Sequence, residues 1–251
     1  NTNFILNGAS GHDDITEYLD FSKNPSAVNP DWKYVYSANN QPEPIDGFLY
    51  PGYYLPEDRA RRITQLLDPK SNWDKEAVSK MMFDNTSAVA PEVVQELISN
   101  VDYNSLSKNE KEAITILKAW KGSNNLEDVA PTIYNKWIYM YLKNTFEDEL
   151  GSANFKQFLG THIMKQIIAK QMANENSLWW DNIATKGKKE TRSQVLSKSF
   201  KESILALDKQ LGNSVSGWTW NKVHMLEHQH PLGKVAALRP YFNVGPFAVS
   251  G

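Results

Sequence analysis

Tyr34-Val-Tyr-Ser-Ala-Asn-Asn-Gln-Pro42 is the stretch on which the reading of this chain turns. Tyr34, Val35 and Tyr36 are aromatic and β-branched residues that suit a pleated surface, so the stretch is predicted to begin as a strand. Polar amides and Pro42 then stop it. Asn39 and Asn40 therefore fall at the carboxyl end of a strand, and Asn29-Pro30 opens the approach. A carboxamide held there offers two N–H donors from a rigid base. That is what stabilisation of a developing oxyanion requires. Read locally, the same amides are turn residues closing a loop, a common use of Asn.

Outward from this stretch, residues before it are short apolar pieces broken by turn residues. Phe4-Ile-Leu6 reads as a strand ended by Asn7-Gly8, and Tyr18-Leu-Asp-Phe21 as another extended piece before Asn24-Pro25. Residues 43–56 carry too many prolines and glycines for a regular element. Phe48, Tyr50, Tyr53 and Tyr54 there suit either a cleft wall or a loop pinned to the core by its rings. From Glu57 the period becomes helical. Helices are predicted from Glu57 to Asp68, Asp74 to Phe83, Pro91 onward, Ser107 to about Trp120, Pro131 to Leu150, Phe155 to Met172 and Thr191 to Leu211. Ser107-Lys-Asn-Glu110 and Thr191-Arg-Ser-Gln194 read as capping boxes, and Gly212 as a helix stop. Trp218-Thr-Trp-Asn-Lys-Val-His224 alternates large and polar residues and reads as extended, followed by short strands to Val249. The organisation is α+β: a strand and loop segment over 1–56, a helical region over 57–212, and short strands over 213–251. The terminal strands are too few to bury a sheet alone. They are expected to pair with each other or to join a larger sheet.

Composition narrows the chemistry. A net charge of -2 lacks the basic excess of a general nucleic-acid binder. The absence of cysteine removes a disulfide framework, a thiol nucleophile and thiolate metal sites. No apolar run approaches the length of a membrane span, and the first residues do not read as a signal peptide. His224, His228 and His230, with Glu227 among them, are the obvious metal candidates. Pro231 and Gly233 break the helical context that would put two of them on one face, and two ligands on a strand fall short of a closed zinc site. No metal is assigned. Gly8-Ala-Ser10-Gly11 reads as a turn rather than a nucleophile elbow. Arg59, Arg61 and Arg62 crowd a helix start, the end that disfavours cations. One of them is expected to have a specific partner, with Arg61 and Arg62 on a solvated face.

Several blocks in order resemble a known family: Leu19-Asp-Phe-Ser-Lys-Asn-Pro25, the Tyr34–Pro42 stretch, Tyr53-Tyr-Leu-Pro-Glu-Asp-Arg-Ala-Arg-Arg-Ile63, Asp84-Asn-Thr-Ser87, Trp218–His224 and His230-Pro-Leu-Gly233. Together they are similar to the later part of the β-chain of the penicillin acylase (penicillin amidase) family of N-terminal-nucleophile hydrolases. The resemblance implies a fragment of an αββα fold in which a mostly helical insertion is flanked by short strands and loops. It implies an amidohydrolase cleaving N-acyl compounds, such as β-lactam antibiotics or acyl-homoserine lactones, through an amino-terminal serine that is both nucleophile and base. It puts the oxyanion-hole asparagine at Asn39 and the arginine supporting the active site at Arg59. Ala38, Asn40, Trp220, His224 and His230 match the pattern without an implied catalytic role. It also implies a precursor exported to the periplasm or secreted and cut into two chains. The partners would then be the α-chain and the amino-terminal part of the β-chain. Calcium is a possibility in the full protein, and no cofactor is assigned to this chain. The chain opens Asn1-Thr2 instead of with serine, so the expectation is a piece without nucleophile or base and without acylase activity of its own. The other reading is a non-catalytic helical binding or assembly module on the same scaffold.

Overall fold

The computed structural model describes residues 5–50 and 52–251. The chain divides into two compact units, Asn1–Ala77 and Val78–Gly251. Within the described residues the architecture is α+β, with helices dominating and one two-stranded sheet.

Among the described residues the first unit holds one complete α-helix, α1 (Asp58–Leu67). The second helix, α2 (Lys75–Met82), starts in this unit and runs across the division. The predicted early strands do not form. Ile5 and Leu6 are exposed and irregular, while Phe4 lies outside the described residues. The Tyr18–Phe21 piece runs into a single 3-10 turn, Phe21–Lys23. Tyr34–Tyr36 has no strand partner among the described residues. The reason is common to all three: a strand is made by the ladder it joins, and propensity alone cannot supply a neighbour. The one ordered pairing near Asn39 is an isolated parallel bridge between Asn40 and Leu55, in which the Leu55 amide donates to the Asn39 carbonyl at 2.7 Å.

The second unit is a helical body. It contains α3 (Ala90–Ser99), α4 (Lys108–Ala119), α5 (Ala130–Leu159), α6 (His162–Ala173) and α7 (Arg192–Leu211). Both capping boxes form. Ser107 accepts from the Glu110 amide while the Glu110 carboxylate accepts from the Ser107 amide, and Thr191 and Gln194 do the same. Gly212 ends α7 at φ 89, a conformation that favours glycine. The main packing is α5 against α7. Trp137 on α5 is fully buried, its ring 4.5 Å from that of Phe200 on α7, and its indole N–H donates to the Leu196 carbonyl at 3.3 Å. Thr145, Ser199 and Ser203 are also fully buried, and small residues there let the two backbones approach.

The expected break between two long helices is present at Gly151, and a second, unexpected one follows Leu159. α5 continues past Leu150 to Leu159, interrupted by non-helical Gly151 (φ 72, ψ 157). The chain then stops at Gly160 and restarts after extended Thr161. Phe155, Phe158 and Ile163 keep a helical spacing across that stop, which hides it from periodicity. The Trp218–His224 stretch is not extended either. One 3-10 turn, Val215–Gly217, leads into it and is capped by Trp218, and a second, Trp220–Lys222, lies within it. The alternation of large residues arises because Trp218 and Trp220 are both buried from these turns, held by the Trp220 amide on the Asp128 carbonyl and the Asn221 amide on the Leu126 carbonyl. Beyond them β1 (Met225–His228) pairs antiparallel with β2 (Val244–Ala248), with an irregular register between Leu226 and His228. Between the strands lie a 3-10 turn, Pro231–Lys234, and a short helix, α8 (Arg239–Phe242). Nearly every residue of β1 and β2 is exposed. No helix among the described residues is long and apolar enough to cross a membrane.

Glu149, just before the Gly151 break, has its carboxyl pushed up to about 7 from an ordinary value of 4.5. Desolvation is the largest cause, followed by a hydrogen bond with Asp148 and the charges of Asp148 and Asp181. Asp148 Oδ1 and Asp181 Oδ1 are buried without a hydrogen-bond partner among the described residues, which favours a proton in this group. A native pKa above the unfolded one means the folded state binds more protons between the two values. The contribution of this carboxyl to stability therefore falls as pH rises from about 4.5 to about 7. Thermal melting across that interval is expected to show the wild type losing stability relative to Glu149→Gln as pH rises.

Candidate functional site

Within the first unit, Asn39 and Arg59 come together. Asn39 sits at φ 59, the left-handed region that Asn tolerates better than most residues. Arg59 lies in the first turn of α1, and its Nη2 donates to Asn39 Oδ1 at 2.7 Å. A guanidinium has only donors, so it can face only the carbonyl end of the amide. The amide is thereby turned so that Nδ2, with its two N–H donors, points away from Arg59. Nδ2 has no hydrogen-bond partner among the described residues. Ala38 and Ala60, each next to one member of the pair, are the buried residues of this unit among those described. Asn39 and Arg59 are themselves exposed.

A second tie joins the same segment to α1. The Tyr34 hydroxyl donates to Asp68 Oδ1 at 2.5 Å, and Asp68 is the carboxyl-terminal cap of α1. This bond, with desolvation and the Asp68 charge behind it, pushes the Tyr34 hydroxyl up to about 12. An open cleft of about 330 Å³ is lined by Ala27, Trp32, Tyr34, Val35, Tyr36 and Thr64. The aromatic cleft wall is thus made by residues ahead of Asn39. Of the later aromatics, Tyr50 donates its hydroxyl to the Lys23 carbonyl and receives Gln41 Nε2 on its own carbonyl at 3.2 Å, as a pinned loop does.

The histidines have other partners. His224 stacks on Trp220 with ring centres 4.5 Å apart, and its Nδ1–H donates to the Val249 carbonyl at 2.8 Å. His230 caps the Pro231–Lys234 turn by accepting from the Leu232 amide, and its ring stacks on Phe242. No group of three metal-ligating side chains comes together among the described residues. Ser10 sits in a turn, bonded to the Asn7 carbonyl and side chain.

Sequence reasoning missed Tyr34 and Asp68 as a pair. A signal was present: Asp68 ends a helix, where a negative charge is disfavoured, so it needed another partner.

A family model described as penicillin amidase matches residues 1–251. The chain belongs to the penicillin amidase family. Among curated relatives, it is similar to the acyl-homoserine lactone acylase QuiP of Pseudomonas aeruginosa, 24% identical over 280 residues, which covers 97% of this chain and 32% of that protein. The protein of the same name from Pseudomonas fluorescens is 26% identical over 261 residues, covering 97% of this chain and 31% of the relative. That from Pseudomonas syringae pv. tomato is 24% identical over 235 residues, covering 86% and 28%. The chain thus spans about a third of the length of the curated relatives it matches. Family membership supports amide hydrolysis as the general chemistry.

Proposed function

We propose that the full-length protein is an amidohydrolase cleaving N-acyl amides, to which this chain contributes Asn39 as an oxyanion donor and Arg59 as its support. The observation that carries the reading is the 2.7 Å bond from Arg59 to Asn39 Oδ1, which leaves the amide N–H groups to serve another acceptor. In this reading an amino-terminal serine, exposed by cleavage upstream, attacks the amide carbonyl, with its own α-amine taking the proton. The oxyanion that forms accepts from Asn39 Nδ2. Collapse releases the amine and leaves an acyl-enzyme, which water opens to the free acid.

The relatives named as acyl-homoserine lactone acylases make N-acyl-homoserine lactones the first substrates to try, with β-lactam N-acyl amides second. Because Asn39 is exposed in this chain, the reading also requires other segments to exclude water from it. An α-chain and the amino-terminal part of the β-chain would do so, within an αββα core whose sheets the exposed β1–β2 pair would join. Such a protein would act in the periplasm or outside the cell.

A non-catalytic binding or assembly module is the second reading. What favours it is the second unit, whose helical core contains neither Asn39 nor Arg59. The experiment is to incubate the full-length protein with acyl-homoserine lactones of graded chain length and with penicillin-type amides, and to measure released amine and acid. Equimolar release of both is expected. A precursor that neither cleaves itself nor releases amine from any of them would put the module reading first.

A further inference from the structure

We infer that Tyr34 and Asp68 are positioning residues for Asn39: their hydrogen bond and the Arg59–Asn39 bond clamp α1 to the 34–39 segment at both ends. The inference rests on the proposed oxyanion function of Asn39.

The geometry of the two ties is matched. From Arg59 to Asp68 a helix rises about 14 Å, at roughly 1.5 Å per residue. From Tyr34 to Asn39 an extended chain covers at most about 16 Å, at roughly 3.3 Å per residue. Arg59 meets Asn39 and Asp68 meets Tyr34, so helix and segment run antiparallel and the two spans nearly coincide. The charges point the same way. A cation in the first turn of a helix and a carboxylate at its last cap are each on the end the helix dipole disfavours. In α1 both find their partner on the same short segment.

The segment needs such ties. Lys33 (φ 65) and Asn39 (φ 59) bracket it in left-handed conformation. Between them, Tyr34 to Ala38 make no backbone hydrogen bond to any described residue. Tyr34 and Tyr36 touch each other, ring centres 6.1 Å apart, but that contact does not fix the segment along α1. Loss of the Tyr34 tie would let the segment slide against the helix, and the amide of Asn39 would move relative to the acyl carbonyl it serves. Misplacement on the order of 1 Å costs up to about a hundredfold in rate.

The experiment compares the full-length wild type with Tyr34→Phe, Asn39→Ala and the double variant, on whichever N-acyl amide is turned over best. Tyr34→Phe is expected to lower kcat roughly 10- to 100-fold with KM nearly constant. In the Asn39→Ala background it should add little, because the group it positions has gone. Asp68→Asn keeps an acceptor oxygen for the Tyr34 hydroxyl and should lose much less than Asp68→Ala. Equal losses in both backgrounds, a loss carried by KM, or Asp68→Asn as slow as Asp68→Ala would each overturn the clamp. Where Tyr34→Phe fails to fold, the Asp68 pair decides. A large loss in Asn39→Ala beside wild-type kcat in Tyr34→Phe removes the clamp and leaves the oxyanion reading standing. Wild-type kcat in Asn39→Ala removes both.

Discussion

Asn39→Ala in the full-length protein is expected to lower turnover of an N-acyl amide by roughly 100- to 1,000-fold, the usual cost of deleting one oxyanion donor. The loss should appear in kcat and in kcat/KM alike, because the bond is made only as charge develops on the carbonyl oxygen. The substitution also has a local effect, since alanine at φ 59 is less comfortable than asparagine. That effect belongs to the fold and can be separated from the chemistry by measuring self-cleavage and thermal melting on the same samples. A variant that cleaves itself, melts like the wild type and still turns over within about threefold would return Asn39 to a turn amide.

The second large effect lies in the helical unit. Trp137→Ala is expected to destabilise it by about 3–5 kcal/mol, the range for emptying a buried aromatic site. Trp137 has no exposed surface, packs its ring on Phe200, and leaves the Leu196 carbonyl without its N–H donor when removed. Set against a typical total of about 5–15 kcal/mol, that is a large share of the stability of a domain. Urea unfolding followed by helical circular dichroism should move its midpoint sharply downward. Trp137→Phe should recover much of the loss, because a second ring still fills most of the volume. A midpoint close to wild type in the alanine variant would mean that the α5–α7 interface does not hold the unit together.

What could be read from the residues was whatever is encoded over a few positions. Ser107 with Glu110 and Thr191 with Gln194 start helices through bonds three residues apart. Gly212 stops one by a conformation that belongs to glycine. The failures share a non-local cause. Tyr34–Tyr36 has strand-forming residues but no neighbouring strand among the described residues. Thr161 breaks a helix inside an unbroken hydrophobic period. Trp218 and Trp220 alternate with polar residues because one caps the Val215–Gly217 turn and the other opens the Trp220–Lys222 turn, which is anchored on the loop near Leu126 and Asp128. The site divides in the same way. Asn39 and Arg59 were visible as a resemblance, and their bond adds the direction in which the amide faces. Tyr34 and Asp68 lie 34 positions apart, and only the misplaced charge at the end of α1 hinted that they meet.

The left-handed backbone at position 39 also sets how freely that position can vary. The backbone admits glycine, asparagine and aspartate with little penalty. The proposed chemistry admits only side chains with an N–H to give. Glycine has no side chain, and aspartate would present acceptors alone to a developing negative charge. Glutamine has the amide but not the tolerance of the backbone, and its extra methylene would carry the donor past its place. Asparagine is the residue common to both lists. A search for variants with altered substrate preference would therefore gain nothing by randomising this codon.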